Sequence, residues 1–103
     1  MVIDSEVRFD REALEAFCRG NGIRSLSVFG SALSGRLRPE SDIDLLVEFE
    51  SGRIPGLIRL AGMELELSEI FNEREVELRT YDDLSRYFRD EVRASAEPLY
   101  AAA

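Results

Sequence analysis

Residues 27–49 read SVFGSALSGRLRPESDIDLLVEF, and the way this stretch folds decides the architecture. It begins inside IRSLSVF (23–29), which alternates through Ile23, Leu26 and Val28 and predicts a strand. Gly30-Ser31 interrupts that run, SALSG suits a short helical turn, and 36–41 reads as a loop with Pro39 as its breaker. DIDLLVEF (42–49) predicts a second strand, whose continuous apolar middle implies burial on both faces. Residues two apart on a strand share a face, so Asp42 and Asp44 project together, roughly 6–7 Å apart at Cα. Such a pair repels itself, and a divalent cation between the carboxylates removes the cost. PESD is also good loop chemistry, so Asp-x-Asp alone does not decide between a turn and a metal site. Gly30-Ser31 strengthens the second reading. Glycine at a strand end lets the backbone approach a ligand, and a helix starting at Ser31 would aim its free N–H groups at a phosphate.

The flanking sequence supplies the remaining elements. Asp10 is a candidate N-cap for a helix over 11–19, stopped by Gly20-Asn21-Gly22. Pro55 suits the first turn of a helix over 56–71, with a 3.6-residue period through Leu57, Leu60, Ala61, Glu64, Leu65, Leu67, Ser68 and Phe71. Residues 74–80, REVELRT, alternate, with Val76 and Leu78 on one face and Glu75, Glu77 and Arg79 on the other. A helical turn and a helix over about 85–97 follow, ended by Pro98. This order predicts one α/β (α+β) domain over 1–103, with a small mixed three- to four-stranded sheet flanked by helices. The segments around 57–67 and PLYAAA are core or interface, and core is expected for most of both. On the polar face of the last predicted strand, Glu77 is the best candidate for a third acid beside Asp42 and Asp44, and Glu75 competes with it.

Composition excludes several function classes. All 13 basic residues are Arg, with no Lys and no His, so His or Lys catalysis and His metal ligation are ruled out. Any metal must sit on carboxylates, which suits magnesium or manganese. A net charge of −8 argues against a nucleic-acid backbone as direct partner. Cys18 stands alone and reads as a small buried hydrophobe. The first residues carry no signal-peptide pattern and no apolar run reaches the ~20 residues of a membrane span. A cytoplasmic protein is expected.

Gly30-Ser31, ten residues, then Asp42-Ile43-Asp44 resembles the G-S-x10-D-x-D signature of the polymerase-β-like nucleotidyltransferase superfamily. With the flank VELRTYDDLSRYFRDEVRASAEPLY, the chain resembles the minimal nucleotidyltransferases of HEPN–MNT toxin–antitoxin pairs over about 23–100. The resemblance implies a polymerase-β-like core and transfer of AMP from ATP, with Mg2+ (or Mn2+) as cofactor. It implies as acceptor a hydroxyl, a tyrosine, of a cognate HEPN ribonuclease toxin that is thereby silenced. Gly30 and Ser31 would bind the nucleotide, Asp42 and Asp44 the metal, and Glu77 would complete the catalytic and metal set. The chain departs from the family pattern at Glu77, where VDL is common, and at Ala32, where a basic residue is common. Arg36 and Arg38 would supply phosphate-neutralising charge instead. Two other readings stay open: an inactive nucleotide-binding antitoxin that masks its toxin, and a small-molecule nucleotidyltransferase, disfavoured because 103 residues leave no substrate lobe. A homodimer or a hetero-oligomer with the toxin is expected.

Overall fold

The computed structural model describes residues 9–29 and 42–102. The expected turn at SALSG, the loop over 36–41, and Gly30, Ser31, Arg36 and Arg38 lie outside the described residues. Asp10 caps α1 (Arg11–Gly20), its carboxylate accepting from the Ala13 N–H at 3.2 Å. Asn21 closes the helix, and Gly22 turns the chain at φ +67. A Cβ at Gly22 would lie 2.8 Å from Arg53, so glycine serves both the left-handed backbone and the close approach. β1 (Ile23–Phe29) pairs antiparallel with β2 (Ile43–Phe49). A register shift between Ile23 and Ser25 explains how Ile23 and Leu26, of opposite parity, are both buried.

α2 (Leu57–Ile70) carries the chain from β2 to β3 (Val76–Arg79), which joins β2 in parallel. A 3-10 turn (Tyr81–Asp83) and α3 (Arg89–Ser95) follow, and then β4 (Glu97–Ala101) pairs antiparallel with β1. The strand order is β3-β2-β1-β4, the mixed four-stranded form of the expected sheet. The core lies on one face. Leu14 and Cys18 of α1 and Met63, Leu67 and Phe71 of and beyond α2 cover Leu26, Val28, Ile43, Leu45, Val47 and Leu78. Burial pushes the Cys18 thiol up to about 12, which fits a small apolar side chain rather than a nucleophile. No helix among the described residues is long and apolar enough to cross a membrane.

Three expectations are corrected. β2 buries one face only: Ile43, Leu45 and Val47 are buried, while Asp44 and Leu46 are half-buried and Glu48 exposed. The expected helix over 85–97 shrinks to Arg89–Ser95, and Pro98 sits inside a strand rather than ending the helix. Proline is tolerated there because β4 is an edge strand, where one missing N–H leaves no ladder broken on its outer side. Leu99 is buried, and the Arg11 guanidinium donates to its carbonyl at 3.0 Å, tying β4 to α1. On α2 the period misplaced the inward side. Leu57, Ala61 and Leu65 are exposed, while Leu60, Met63, Leu67 and Ile70 face the core.

The other sheet edge is closed by a side chain. Glu64 of α2 accepts from the Leu78 N–H at 2.7 Å, satisfying a donor of edge strand β3 that no strand reaches. Glu64→Ala should therefore cost about 1–3 kcal/mol, read as a lower urea midpoint with an unchanged slope. A loss below that range would mean water replaces the carboxylate without penalty.

Candidate active site

The face of the sheet opposite α1 and α2 carries the polar residues. Asp42 precedes β2 and shares the parity of Asp44; Glu77 and Arg79 share the same face on β3. The parallel register sets Asp44 directly beside Glu77. Across the antiparallel ladder Asp44 faces Phe29, the residue immediately before Gly30. The mouth of this site is held by backbone: the Ile43 N–H donates to the Glu75 carbonyl at 2.7 Å. That bond commits the start of β2 to the start of β3, so the two acids cannot slide apart without breaking the ladder.

The electrostatics show how closely these carboxylates crowd. Asp44 is pushed up to about 6, first by partial burial, then by a side-chain hydrogen bond and charge repulsion from Glu77, with Asp42 adding repulsion. A hydrogen bond between two carboxyl groups needs a proton between them, which is what raises the affinity of Asp44 for one. Arg79 opposes the shift: its guanidinium lies 3.5 Å from Glu77 and its charge lowers the Asp44 pKa. Among the described residues no three carboxylates already converge as a metal-holding group. Asp44 and Glu77 are in contact, and Asp42 acts on Asp44 through its charge. An all-oxygen donor set with mutual repulsion is the chemistry a hard divalent cation relieves. Glu75, the competing third acid, is exposed and is absent from the groups acting on Asp44.

Sequence reasoning put Arg79 on the acid face but assigned it no role, although its i+2 spacing from Glu77 marks it as a neighbour. It also missed a recess further along the same face. There a cavity of about 610 Å3 is lined by Ser27, Leu46, Glu48, Tyr81, Arg93 and Pro98, among others. The Tyr81 ring is flanked by the guanidinium groups of Arg89 at 4.6 Å and Arg93 at 5.2 Å, and its hydroxyl bonds to Asp90. Residues far apart in the chain build that recess, so no local motif announces it.

Comparison with known proteins identifies the family. A family model described as a nucleotidyltransferase domain matches residues 10–98. A Methanocaldococcus jannaschii protein, named provisionally as a protein adenylyltransferase, is 33% identical over 72 residues, covering 70% of this chain and 74% of its own. The protein adenylyltransferase MntA of Thermococcus cleftensis is 38% identical over 53 residues, 52% of each chain. Among solved structures, a toxin–antitoxin crystal structure with AMP-PNP superposes with a TM-score of 0.71 at 19% identity, over 90% of this chain and 74% of that one. With a family model spanning nearly the whole sheet and both carboxylate strands, this chain belongs to the nucleotidyltransferase domain family.

Proposed function

We propose that the chain is an antitoxin-type protein adenylyltransferase that moves AMP from ATP to a hydroxyl of a HEPN-family ribonuclease toxin. The observation that carries this reading is the contact between Asp44 and Glu77 across two parallel strands, with Asp44 raised to about 6. Relatives named as protein adenylyltransferases and a structural neighbour described as a toxin–antitoxin complex support the choice of reaction and partner. We assign Asp42, Asp44 and Glu77 to hold the divalent ion, magnesium by preference and manganese as substitute. Gly30, Ser31, Arg36 and Arg38 are assigned to the triphosphate. The cytoplasm, where ATP and magnesium are at hand, is the proposed compartment.

When bound, the metal neutralises triphosphate charge and stabilises the oxygens of the displacement. The chain's own groups do the rest. Glu77 accepts the proton of the attacking hydroxyl, whose oxygen bonds to the α-phosphorus as pyrophosphate leaves with the electrons of the broken P–O bond. Arg79 positions Glu77 through its 3.5 Å contact, and Asp42 and Asp44 would supply the negative charge that holds the divalent ion while Glu77 takes up the proton. Positioned proton transfer is worth about 10²–10⁴-fold. Glu77→Gln should therefore slow labelled AMP transfer by that factor while ATP binding persists. Transfer at the wild-type rate would remove Glu77 from the catalytic set.

A masking antitoxin is the second reading, favoured by one residue: Glu77 stands where the family pattern commonly has Asp. Glu77→Asp separates the two. A catalytic site transfers with Glu77 and keeps or raises its rate with the shorter acid; a site silenced by Glu77 shows no transfer until Asp replaces it.

A further inference from the structure

α2 is apolar on two opposite sides, and only one of them has work in the core. Inward, Leu60, Met63, Leu67 and Ile70 pack against the sheet helices and strands. Outward stand Ile58, 92% exposed, and Leu65, 70% exposed, two turns apart on one stripe. Leu57, 85% exposed, flanks it at the helix start. Single exposed aliphatics are ordinary, but three large ones on one short helix mark a contact surface. Between Ile58 and Leu65 sit Ala61 and Gly62. A glycine inside a helix costs about 1 kcal/mol relative to alanine, and nothing among the described residues lies within 4 Å of the Cβ it lacks. The fold itself gives no reason for that missing side chain; a second backbone lying close to it does.

We infer that this stripe is the interface of a homodimer in which α2 packs antiparallel on α2 of a second copy. With the two-fold axis between Ala61 and Gly62, Ile58 meets Leu65 of the second copy and Ala61 meets its Gly62, twice by symmetry. Large residues thus fall opposite large ones at both ends, and the small pair sits at the crossing, where backbones come closest. Charge selects this orientation. Arg59 and Glu66 lie on the same flank of the helix, both exposed, and an antiparallel pair brings like flanks together. Arg59 of each copy then approaches Glu66 of the other. A parallel pair would set that charged flank against Leu57. Arg59 also donates to Asn21, but a guanidinium has five N–H donors and serves both. The standard interface buries roughly 800 Å2 per partner; the stripe supplies its apolar centre, and the 14-residue helix limits its length to about 21 Å, so micromolar association is expected. The interface lies on the helix side of the sheet, leaving the carboxylates of both copies open on the far side.

Sedimentation velocity on the full chain, from low to high micromolar concentration, tests this. The wild type should pass from its 11.7 kDa monomer to twice that mass. Ile58→Glu should remain monomeric throughout with an unchanged melting temperature, since the residue touches nothing in its own core. Arg59→Glu should weaken the dimer about tenfold, and adding Glu66→Arg should restore it. Ala61→Cys should form a reducible dimer at the two-fold axis, which the buried Cys18 cannot. A wild type that stays monomeric at high concentration, or a dimer indifferent to Ile58→Glu and to the charge exchange, would overturn the proposal. So would a monomer that loses binding to the toxin on Ile58→Glu, because the stripe would then belong to that partner.

Discussion

Asp44→Asn should lower AMP transfer about a hundred- to a thousandfold, the scale of removing one preorganised electrostatic group, and at neutral pH it should make the protein more stable. Both effects have one cause. In the folded, metal-free chain Asp44 is raised from 3.8 to about 6 by partial burial and by the neighbouring Glu77 and Asp42. A raised acid binds its proton more tightly folded than unfolded. Its contribution to stability is therefore present below pH 4 and is lost as pH rises through about 6. Asparagine carries no charge at any of these pH values. The variant and the wild type should melt together near pH 4 and separate by pH 7. Two pKa units correspond to about 3 kcal/mol; Asp44 is half-exposed, and solvent screening reduces the difference to about 1 kcal/mol. For a domain of this size that is about 4–8 °C. Added magnesium should raise the melting temperature of the wild type and leave the variant unmoved. Equal melting curves at pH 7 would show that the acids do not strain the fold, and undiminished transfer would remove Asp44 from the site. A cell expressing the toxin separates chemistry from masking: under the catalytic reading, Asp44→Asn fails to protect it.

Phe71→Ala carries the second large effect, on folding rather than chemistry. Phe71 ends α2, is fully buried, and stacks against Phe9 with ring centroids 5.1 Å apart. It belongs to the same buried core as Met63, Leu67 and Leu14, residues of the two helices that cover the sheet. Emptying that position should cost about 3–5 kcal/mol, against a total of about 5–15 kcal/mol for a domain. At about 4–8 °C per kcal/mol the midpoint should fall by about 15 °C or more. Because α2 is the crossover that sets β3 beside β2, the Asp44–Glu77 contact should loosen with it, and transfer should fall at temperatures where most of the chain is still folded. A loss under 1 kcal/mol would mean the cavity collapses and α2 re-seats without Phe71.

The parts of the fold that announce themselves are those whose hydrophobic period is clean. β1 and β3 alternate, Asp10 and Gly22 bracket α1, and each element stands where its residues place it. β4 was hidden because its composition, EPLYA, reads as a helix stop and a tail. What makes it a strand is pairing with β1 and the Arg11 bond to Leu99, both contacts with distant residues. α2 misled for the opposite reason: apolar residues on both sides leave a period that fits two faces equally well. At the site, parity placed Asp42 and Asp44 on one face of β2 and Glu77 on the polar face of β3. Their contact depends on the register of a parallel pair joined through a helix, and register is a tertiary property. Arg79 was visible on that face, yet its effect on Glu77 and Asp44 needed the 3.5 Å distance.

The central claim is that Asp42, Asp44 and Glu77 transfer AMP to a protein hydroxyl. Intact-mass measurement of the toxin, after incubation with this chain, ATP and magnesium, tests it most directly. The account predicts a toxin heavier by whole adenylyl units, on a tyrosine-bearing peptide, with no gain when Asp44→Asn replaces the wild type. A toxin that is inhibited at unchanged mass would contradict it.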